Sequence, residues 1–111
     1  MPIANCFISE KNLTQDELQK LAIKWADQVQ VDVKDICLTV STNFVQAGQQ
    51  YEAMVNLYLP SLWSKSEVKK IQKGLFTILS RDLKIQPSKI FIVTSIIESG
   101  NVVENGELVE W

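Results

Sequence analysis

The second residue is where the chemistry of this chain stands out, because Pro2 directly follows Met1 and precedes an apolar, strand-like run. If Met1 is removed, as is usual before a small residue, Pro2 carries a secondary amine. A free α-amine titrates at about pH 8, and apolar surroundings lower its pKa because desolvation disfavours the charged form. A neutral amine can take a proton from a carbon beside a carbonyl group and return it elsewhere. Pro2 is therefore a candidate general base; the alternative is that it only spares a strand-edge amide.

The sequence contains no histidine, which removes imidazole catalysis, Ser-His and Cys-His nucleophile pairs and most metal sites from consideration. Cys6 and Cys37 lie in apolar segments without the paired C-x-x-C spacing of zinc or redox sites, so both are predicted to be free core thiols. No stretch matches a phosphate-binding loop or a dinucleotide fingerprint. We therefore expect neither a metal nor a cofactor.

Length and charge limit the domain count and the partners. A chain of 111 residues suits a single domain spanning residues 1–111, and its net charge of −2 offers no basic surface for nucleic acid. No apolar stretch approaches the roughly 20 residues of a membrane span, and the first residues lack the features of a signal peptide. We expect a cytoplasmic protein with no nucleic-acid or membrane partner.

The chain contains two copies of one pattern, at roughly residues 2–43 and 51–98. A capping box begins at Thr14 in the first copy and at Ser64 in the second, each with a glutamate three residues later. Apolar residues then recur at helical spacing: Leu18, Leu21, Ala22, Trp25 and Val29 in the first copy, and Val68, Ile71, Leu75, Ile78 and Leu79 in the second. Each copy therefore predicts an amphipathic helix with one buried face.

Strand-like runs rich in β-branched and aromatic residues flank both helices, giving the order β-α-β, β-α-β. Right-handed crossovers then predict an α/β (α+β) domain with a four-stranded mixed sheet and both helices on one face. Strand alternation places Cys37, Phe91, Val93 and Ile97 on the other face, which is also apolar. We expect other subunits to bury this face; the alternative is that the linker between the copies and the C-terminal tail cover it.

The segment 101–111 predicts a β-hairpin. It carries Asn105-Gly106 between two arms that alternate apolar and polar residues, and both positions of a tight two-residue turn need positive φ. An isolated hairpin has little stability. We therefore expect its strands to add to a sheet of this chain or of a neighbour.

Several stretches give the chain a resemblance to a known family. With its strand start at Pro2, its duplicated β-α-β unit and its hairpin, the chain resembles the tautomerase superfamily, which includes 4-oxalocrotonate tautomerase and macrophage migration inhibitory factor. "PIA" at residues 2–4 is similar to the start of the bacterial tautomerases, and "LSRDLKIQPSKIFI" is similar to a stretch of migration inhibitory factor. "YEAMVNLYLP" and "VVENGEL" are most similar to an uncharacterised bacterial branch known only as a domain of unknown function.

The resemblance implies a homotrimer whose sheets line a central barrel, with three sites at subunit boundaries and Pro2 as the base in each. It implies a cofactor-independent keto-enol tautomerase acting on a small-molecule carbonyl or enol acid. Bacterial members hold a substrate carboxylate with an arginine after the first strand, where this chain has Lys11, a cation without the two-pronged geometry of arginine. Tyr58, Phe91 and Trp111 are candidate walls of the substrate-binding site.

Departures from the family pattern leave two other functions open. Cys37 replaces a second arginine, and Phe91 and Val93 stand where migration inhibitory factor has a tyrosine and an asparagine. One alternative is a non-catalytic trimeric binding or structural protein on the same scaffold. The other is a ferredoxin-like regulatory domain, which predicts an antiparallel sheet and a tight hairpin around Gly48.

Overall fold

The computed structural model of the chain describes residues 2–9 and 11–111. The strands and helices follow the predicted order, and the bounds are β1 Ile3–Ile8, α1 Gln15–Val29, β2 Cys37–Ser41, β3 Ala53–Pro60, α2 Lys65–Thr77, β4 Ile90–Ile97, β5 Val102–Glu104 and β6 Glu107–Val109. Short 3-10 turns precede β2 and β4, and a π-helical turn follows α2. Within the described ranges, neither helix combines the length and the apolar composition needed to cross a membrane.

The four long strands form one mixed sheet in the order β2-β1-β3-β4, which confirms the predicted fold class. β1 is parallel to β2 and antiparallel to β3, and β3 is parallel to β4. The ferredoxin-like alternative is wrong, because β1 and β2 lie side by side in parallel and β2 does not pair with β3. Gly48 therefore lies in a long connection between separated strands, with φ 76°, and not in a tight hairpin.

Both helices begin at the residues that the capping boxes predict. Thr14 Oγ1 accepts from the Glu17 amide at 3.2 Å, and Ser64 Oγ accepts from the Glu67 amide at 3.2 Å. Each glutamate side chain in turn accepts from the backbone amide of its capping residue. These bonds satisfy amides that the first turn of a helix leaves without partners, which fixes where each helix starts.

The side of the sheet that packs against α1 and α2, called the covered face below, holds the hydrophobic core. Trp25 of α1 is fully buried there, and its Nε1 donates to the backbone oxygen of Ile71 in α2 at 3.3 Å. The strand residues of this face are Ala4, Cys6 and Ile8 of β1 and Ala53, Val55, Leu57 and Leu59 of β3. Their alternation with half-buried neighbours is the period of two that a one-sided sheet produces.

The opposite side of the sheet, called the open face below, carries the residues that alternation assigned to it, but it is less apolar than predicted. Phe91 is 39% exposed and Val93 is 43% exposed. Across the middle of this face the register aligns Thr39, Asn5 and Asn56, and Thr39 Oγ1 donates to Asn5 Oδ1 at 2.9 Å. A polar row therefore crosses a face that the sequence analysis described as apolar.

The connection between β2 and β3 covers one end of the open face. Phe44 packs edge-on against Phe7, with ring centroids 5.7 Å apart, and Tyr51 lies 5.0 Å from Phe91. The connection between β2 and β3 therefore shields part of the open face, as the second of the two expectations for this face predicted. Val93 stays exposed in the protomer.

The C-terminal segment forms the predicted hairpin. Asn105 and Gly106 adopt φ of 55° and 76° at the turn, and β5 and β6 pair antiparallel on either side. The hairpin is a separate two-stranded sheet and does not extend the main sheet of its own chain.

Candidate functional site

A cavity of about 510 Å³ lies at the end of the sheet where β1 begins and β3 ends. Its wall also includes the segment before β2, the loop that continues from β3, the end of β4 and the C-terminal hairpin, so five separate stretches of the chain meet here. Most of the fifteen lining residues are apolar or aromatic. A concave site with an apolar wall and few polar groups is the usual form of a small-molecule site.

Pro2 is fully buried and lines this cavity. Its carbonyl oxygen accepts from the Cys37 amide at 3.0 Å, which ties the start of β1 to the start of β2. The next residue, Ile3, pairs with both Cys37 and Tyr58, so strands on both sides hold this end of β1. The ring nitrogen of Pro2 carries no backbone hydrogen, and the sheet loses no amide bond by having proline here.

Aromatic side chains form much of the cavity wall. Tyr58 of β3 and Trp111 lie there with Pro2, as the sequence analysis proposed, and Trp63 joins them from the loop after β3. Two hydrogen bonds hold Trp111, because its amide donates to Ser99 Oγ at 2.7 Å and its Nε1 donates to Ser61 Oγ at 3.0 Å. Trp63 Nε1 is buried and has no hydrogen-bond partner in the described residues. The wall thus combines one anchored indole with one indole whose donor is unsatisfied.

The charged residues of the cavity wall are both acidic. Asp35 ends the short turn before β2, a turn that Asp32 caps by accepting from the Lys34 amide at 2.9 Å. Glu104 ends β5 next to the hairpin turn. Among the described residues that line the cavity, none is lysine or arginine. The cavity therefore presents negative charge to whatever enters it.

Lys11 and Phe91 do not line this cavity. β1 spans six residues, about 20 Å at 3.3 Å per residue, and it separates Pro2 from Lys11. Phe91 pairs with Met54 near the start of β3, at the opposite end of that strand from Tyr58. The protomer therefore brings together three of the five predicted site residues, and the functional roles of all five stay predictions.

The two cysteines differ in environment. Cys6 is buried on the covered face, and burial raises the pKa of its thiol to about 12 because the thiolate would be desolvated. Cys37 is a free, exposed thiol on the open face, so the prediction of a core thiol is confirmed for Cys6 and wrong for Cys37. Within residues 2–9 and 11–111, no three acidic, cysteine or histidine side chains gather into a group that suits a metal ion.

No family model matches the chain, and no curated protein matches it. Solved structures do share its architecture. A fused 4-OT asymmetric trimer aligns with a TM-score of 0.77 at 9% identity, covering 96% of this chain and 94% of that one. The macrophage migration inhibitory factor of Trichinella spiralis aligns at 0.71 and 15%, covering 96% and 97%. N1, of the cis-3-chloroacrylic acid dehalogenase family, aligns at 0.70 and 11%, covering 96% and 82%.

The chain has the fold of the tautomerase superfamily. At these identities the likeness establishes the architecture and leaves the activity to be argued from the site. Within this fold, the cavity beside Pro2 is lined by residues of β1, β3 and the C-terminal hairpin.

Two charged residues of this tautomerase-fold site, Asp35 and Glu104, were missed by sequence reasoning. The Asn105-Gly106 turn signal places Glu104 at the tip of a hairpin arm, but it does not say where the hairpin docks. Asp35 belongs to a short turn whose only sequence signal is the Asp32 cap. Their meeting depends on tertiary packing between segments that are distant in the chain.

Proposed function

We propose that the protein is a tautomerase-like isomerase in which Pro2, after removal of residue 1, is the general base. The amine would take a proton from the carbon beside a carbonyl group and return it to another atom of the same molecule, which interconverts keto and enol forms. The observation that carries the proposal is the full burial of Pro2 in the wall of a cavity large enough for a small aromatic molecule.

The surroundings of Pro2 support this role. Apolar and aromatic side chains exclude water, which favours the neutral amine that a base requires. Tyr58 and Trp111 provide flat walls against which the substrate can be held with its acidic carbon near the amine. The reaction moves one proton within the substrate, so its atoms balance without a cofactor.

The proposal includes a homotrimer and a cytosolic location. Phe91 and Val93 leave an apolar strip on the open face, and a neighbouring protomer would remove it from water. Two fused 4-OT structures with the same fold are trimers, which supports the same assembly here. A role for Lys11 at the cavity requires that another protomer bring it there. The free thiols fit a reducing compartment.

The test compares the protein lacking Met1 with the same protein carrying Pro2→Ala. Two reactions are followed: ketonisation of phenylenolpyruvate, and exchange of the α-protons of benzylacetone with deuterium. We expect Pro2→Ala, which keeps an amine but loses the ring that fixes its position, to lower the rate of whichever reaction the protein catalyses by about a hundredfold, the lower end of what a positioned general base contributes. Pro87→Ala is the matched control, because Pro87 is exposed before β4 and lies outside the cavity.

Circular dichroism shows whether each variant keeps the fold. Equal rates for the trimmed protein and folded Pro2→Ala in both reactions would remove Pro2 from the mechanism. Intact mass of the protein from its native host provides an independent check, because retention of Met1 converts the amine into an amide and rules out base catalysis.

A non-catalytic trimeric binding protein is the second candidate. The absence of a cation among the described lining residues favours it, since that feature separates this cavity from sites that hold a substrate carboxylate with arginine. This candidate predicts that ligands bind equally well to the trimmed protein and to Pro2→Ala and that neither protein turns them over.

A further inference from the structure

We infer that the Pro2 cavity selects against negatively charged ligands and takes an aromatic carbonyl compound that is uncharged or, preferentially, carries a positive charge. Only one part of this inference rests on the proposed function, namely that the ligand is a carbonyl compound. The charge preference follows from the cavity wall, and it holds whether or not Pro2 transfers a proton.

The first support is the pair of carboxylates. Asp35 and Glu104 enter the wall from different segments, and each brings a carboxylate side chain to it. The ion pair found within residues 2–9 and 11–111 joins Lys24 to Asp82, so neither cavity carboxylate forms an ion pair with a described lysine or arginine. A cleft with apolar walls and charges of one sign concentrates its field and attracts the opposite charge.

The second support is the aromatic wall. Tyr58, Trp63 and Trp111 line the same cavity as the carboxylates. Aromatic faces carry partial negative charge, so they attract cations and provide no compensation for an anion. The hydrogen bonds from Trp111 to Ser61 and Ser99 hold one of these rings in place before a ligand arrives. Carboxylates and rings therefore favour the same sign of ligand charge.

The third support is the position of the nearest predicted anion contact. Lys11 lies at the far end of β1, about 20 Å along the strand, and does not line the cavity of its own protomer. At 0.15 M salt the Debye length is about 8 Å, so a charge at that separation is largely screened. Within one protomer, Asp35 and Glu104 are the charged side chains of the described cavity wall.

The experiment measures dissociation constants for three ligands that share one ketone: benzylacetone, its para-carboxylate and its para-aminomethyl derivative. Titrations use Pro2→Ala protein in its native assembly, so that binding is separated from turnover, and follow tryptophan fluorescence with calorimetry as a second readout. We expect the aminomethyl ligand to bind at least tenfold more tightly than the carboxylate, with benzylacetone between them. The ratio should shrink as salt is added.

Two variants test the cause. Combining Asp35→Asn with Glu104→Gln should bring the three dissociation constants within about threefold of one another. Asp27→Asn removes an exposed acidic charge of α1 and should leave the ranking as it was.

Tighter binding of the carboxylate, a ranking that survives the double substitution, or failure of all three ligands to bind at millimolar concentration would each overturn the inference. The proposed function is judged separately, by deuterium exchange of benzylacetone in the trimmed protein. Exchange that depends on Pro2 together with a reversed ranking would leave the base in place and remove the charge preference. The expected ranking without any exchange would keep the charge preference and remove Pro2 as the base.

Discussion

The covered face and the open face of the sheet are built by the same four strands, yet they bury their side chains to very different degrees. Val55 on the covered face is 0% exposed, whereas Val93 on the open face of the neighbouring strand is 43% exposed. The covered face is apolar along β1 and β3, whereas a polar row that includes Asn5 and Thr39 crosses the open face. The difference indicates that the helices stabilise the protomer from one side, while the other side is available for assembly.

The largest expected effect follows from charging the open face. Val93→Asp should lower the association constant of the proposed trimer by more than about a thousandfold, because each of three burials of an unpaired carboxylate costs several kcal/mol. Sedimentation velocity measures the assembly, and circular dichroism should show a folded protomer.

Ile23→Asp is the matched control for this prediction. Ile23 is 42% exposed on α1, so the same change in charge occurs at similar exposure away from the open face. A trimer that persists in Val93→Asp, or one that is lost equally in Ile23→Asp, would contradict the assignment of the open face to assembly.

The next effect concerns pH and the covered face. Burial raises the pKa of the Cys6 thiol from 9.0 to about 12. Below about pH 9 both folded and unfolded chains hold the proton, and above it the unfolded chain loses the proton first. The free energy of unfolding should therefore fall between pH 9 and pH 12, by about 3 kcal/mol at pH 11, at about 1.4 kcal/mol per pH unit.

Urea unfolding at pH 8 and pH 11 measures this dependence. Cys6→Ala should have a shallower alkaline decline than the parent protein, because the two proteins differ only in that thiol. Cys37→Ala, at the exposed thiol of the open face, should decline like the parent. Identical declines in all three proteins would show that Cys6 does not resist ionisation.

Two valines, one on the covered face and one on the open face, allow the same substitution to be compared on the two faces. Val55→Ala should lower the free energy of unfolding by about 2 kcal/mol, from lost burial and the cavity left behind. Val93→Ala should cost about 0.5 kcal/mol when measured at concentrations where protomers are dissociated, as is usual for exposed positions. Urea unfolding over a range of protein concentrations gives both numbers. Equal losses under dissociating conditions would mean that the open face also stabilises the isolated protomer.

Local signals predicted the fold well because they act over a few residues. The capping boxes located the helix starts at Thr14 and Ser64, and strand alternation separated the covered residues from the open ones. Strand alternation does not predict the polar row, because it describes the two sides of each strand separately. Asn5 and Thr39 become neighbours only once β1 and β2 are placed in register.

The candidate site was predicted less completely because its residues come from segments that are distant in the chain and meet only in the folded protein. Pro2 and Tyr58 meet because β1 and β3 are antiparallel, with Ile3 opposite Tyr58. Phe91 lies elsewhere because β4 runs parallel to β3 and begins beside Ala53, at the other end. Glu104 reaches the cavity only because the hairpin folds back over it, a docking that no local pattern in the sequence encodes.

The smallest expected effect compares an indole beneath the covered face with one in the cavity wall. Trp25 Nε1 donates to the Ile71 carbonyl, whereas Trp63 Nε1 is buried without a partner among the described residues. Trp25→Phe loses a hydrogen bond, and Trp63→Phe removes an unpaired donor. Trp63→Phe should therefore cost about 1 kcal/mol less of the free energy of unfolding, since leaving a buried donor unpaired costs about 1–3 kcal/mol.

Urea unfolding of both variants under dissociating conditions measures this difference, and the same volume change in each makes them controls for one another. Equal losses would mean that Trp63 Nε1 gains a partner in solution, such as a bound water. If addition of benzylacetone stabilises the parent protein more than Trp63→Phe, the ligand's carbonyl oxygen is the acceptor for that donor. In that case the unpaired indole nitrogen belongs to the binding site and is not a defect of the fold.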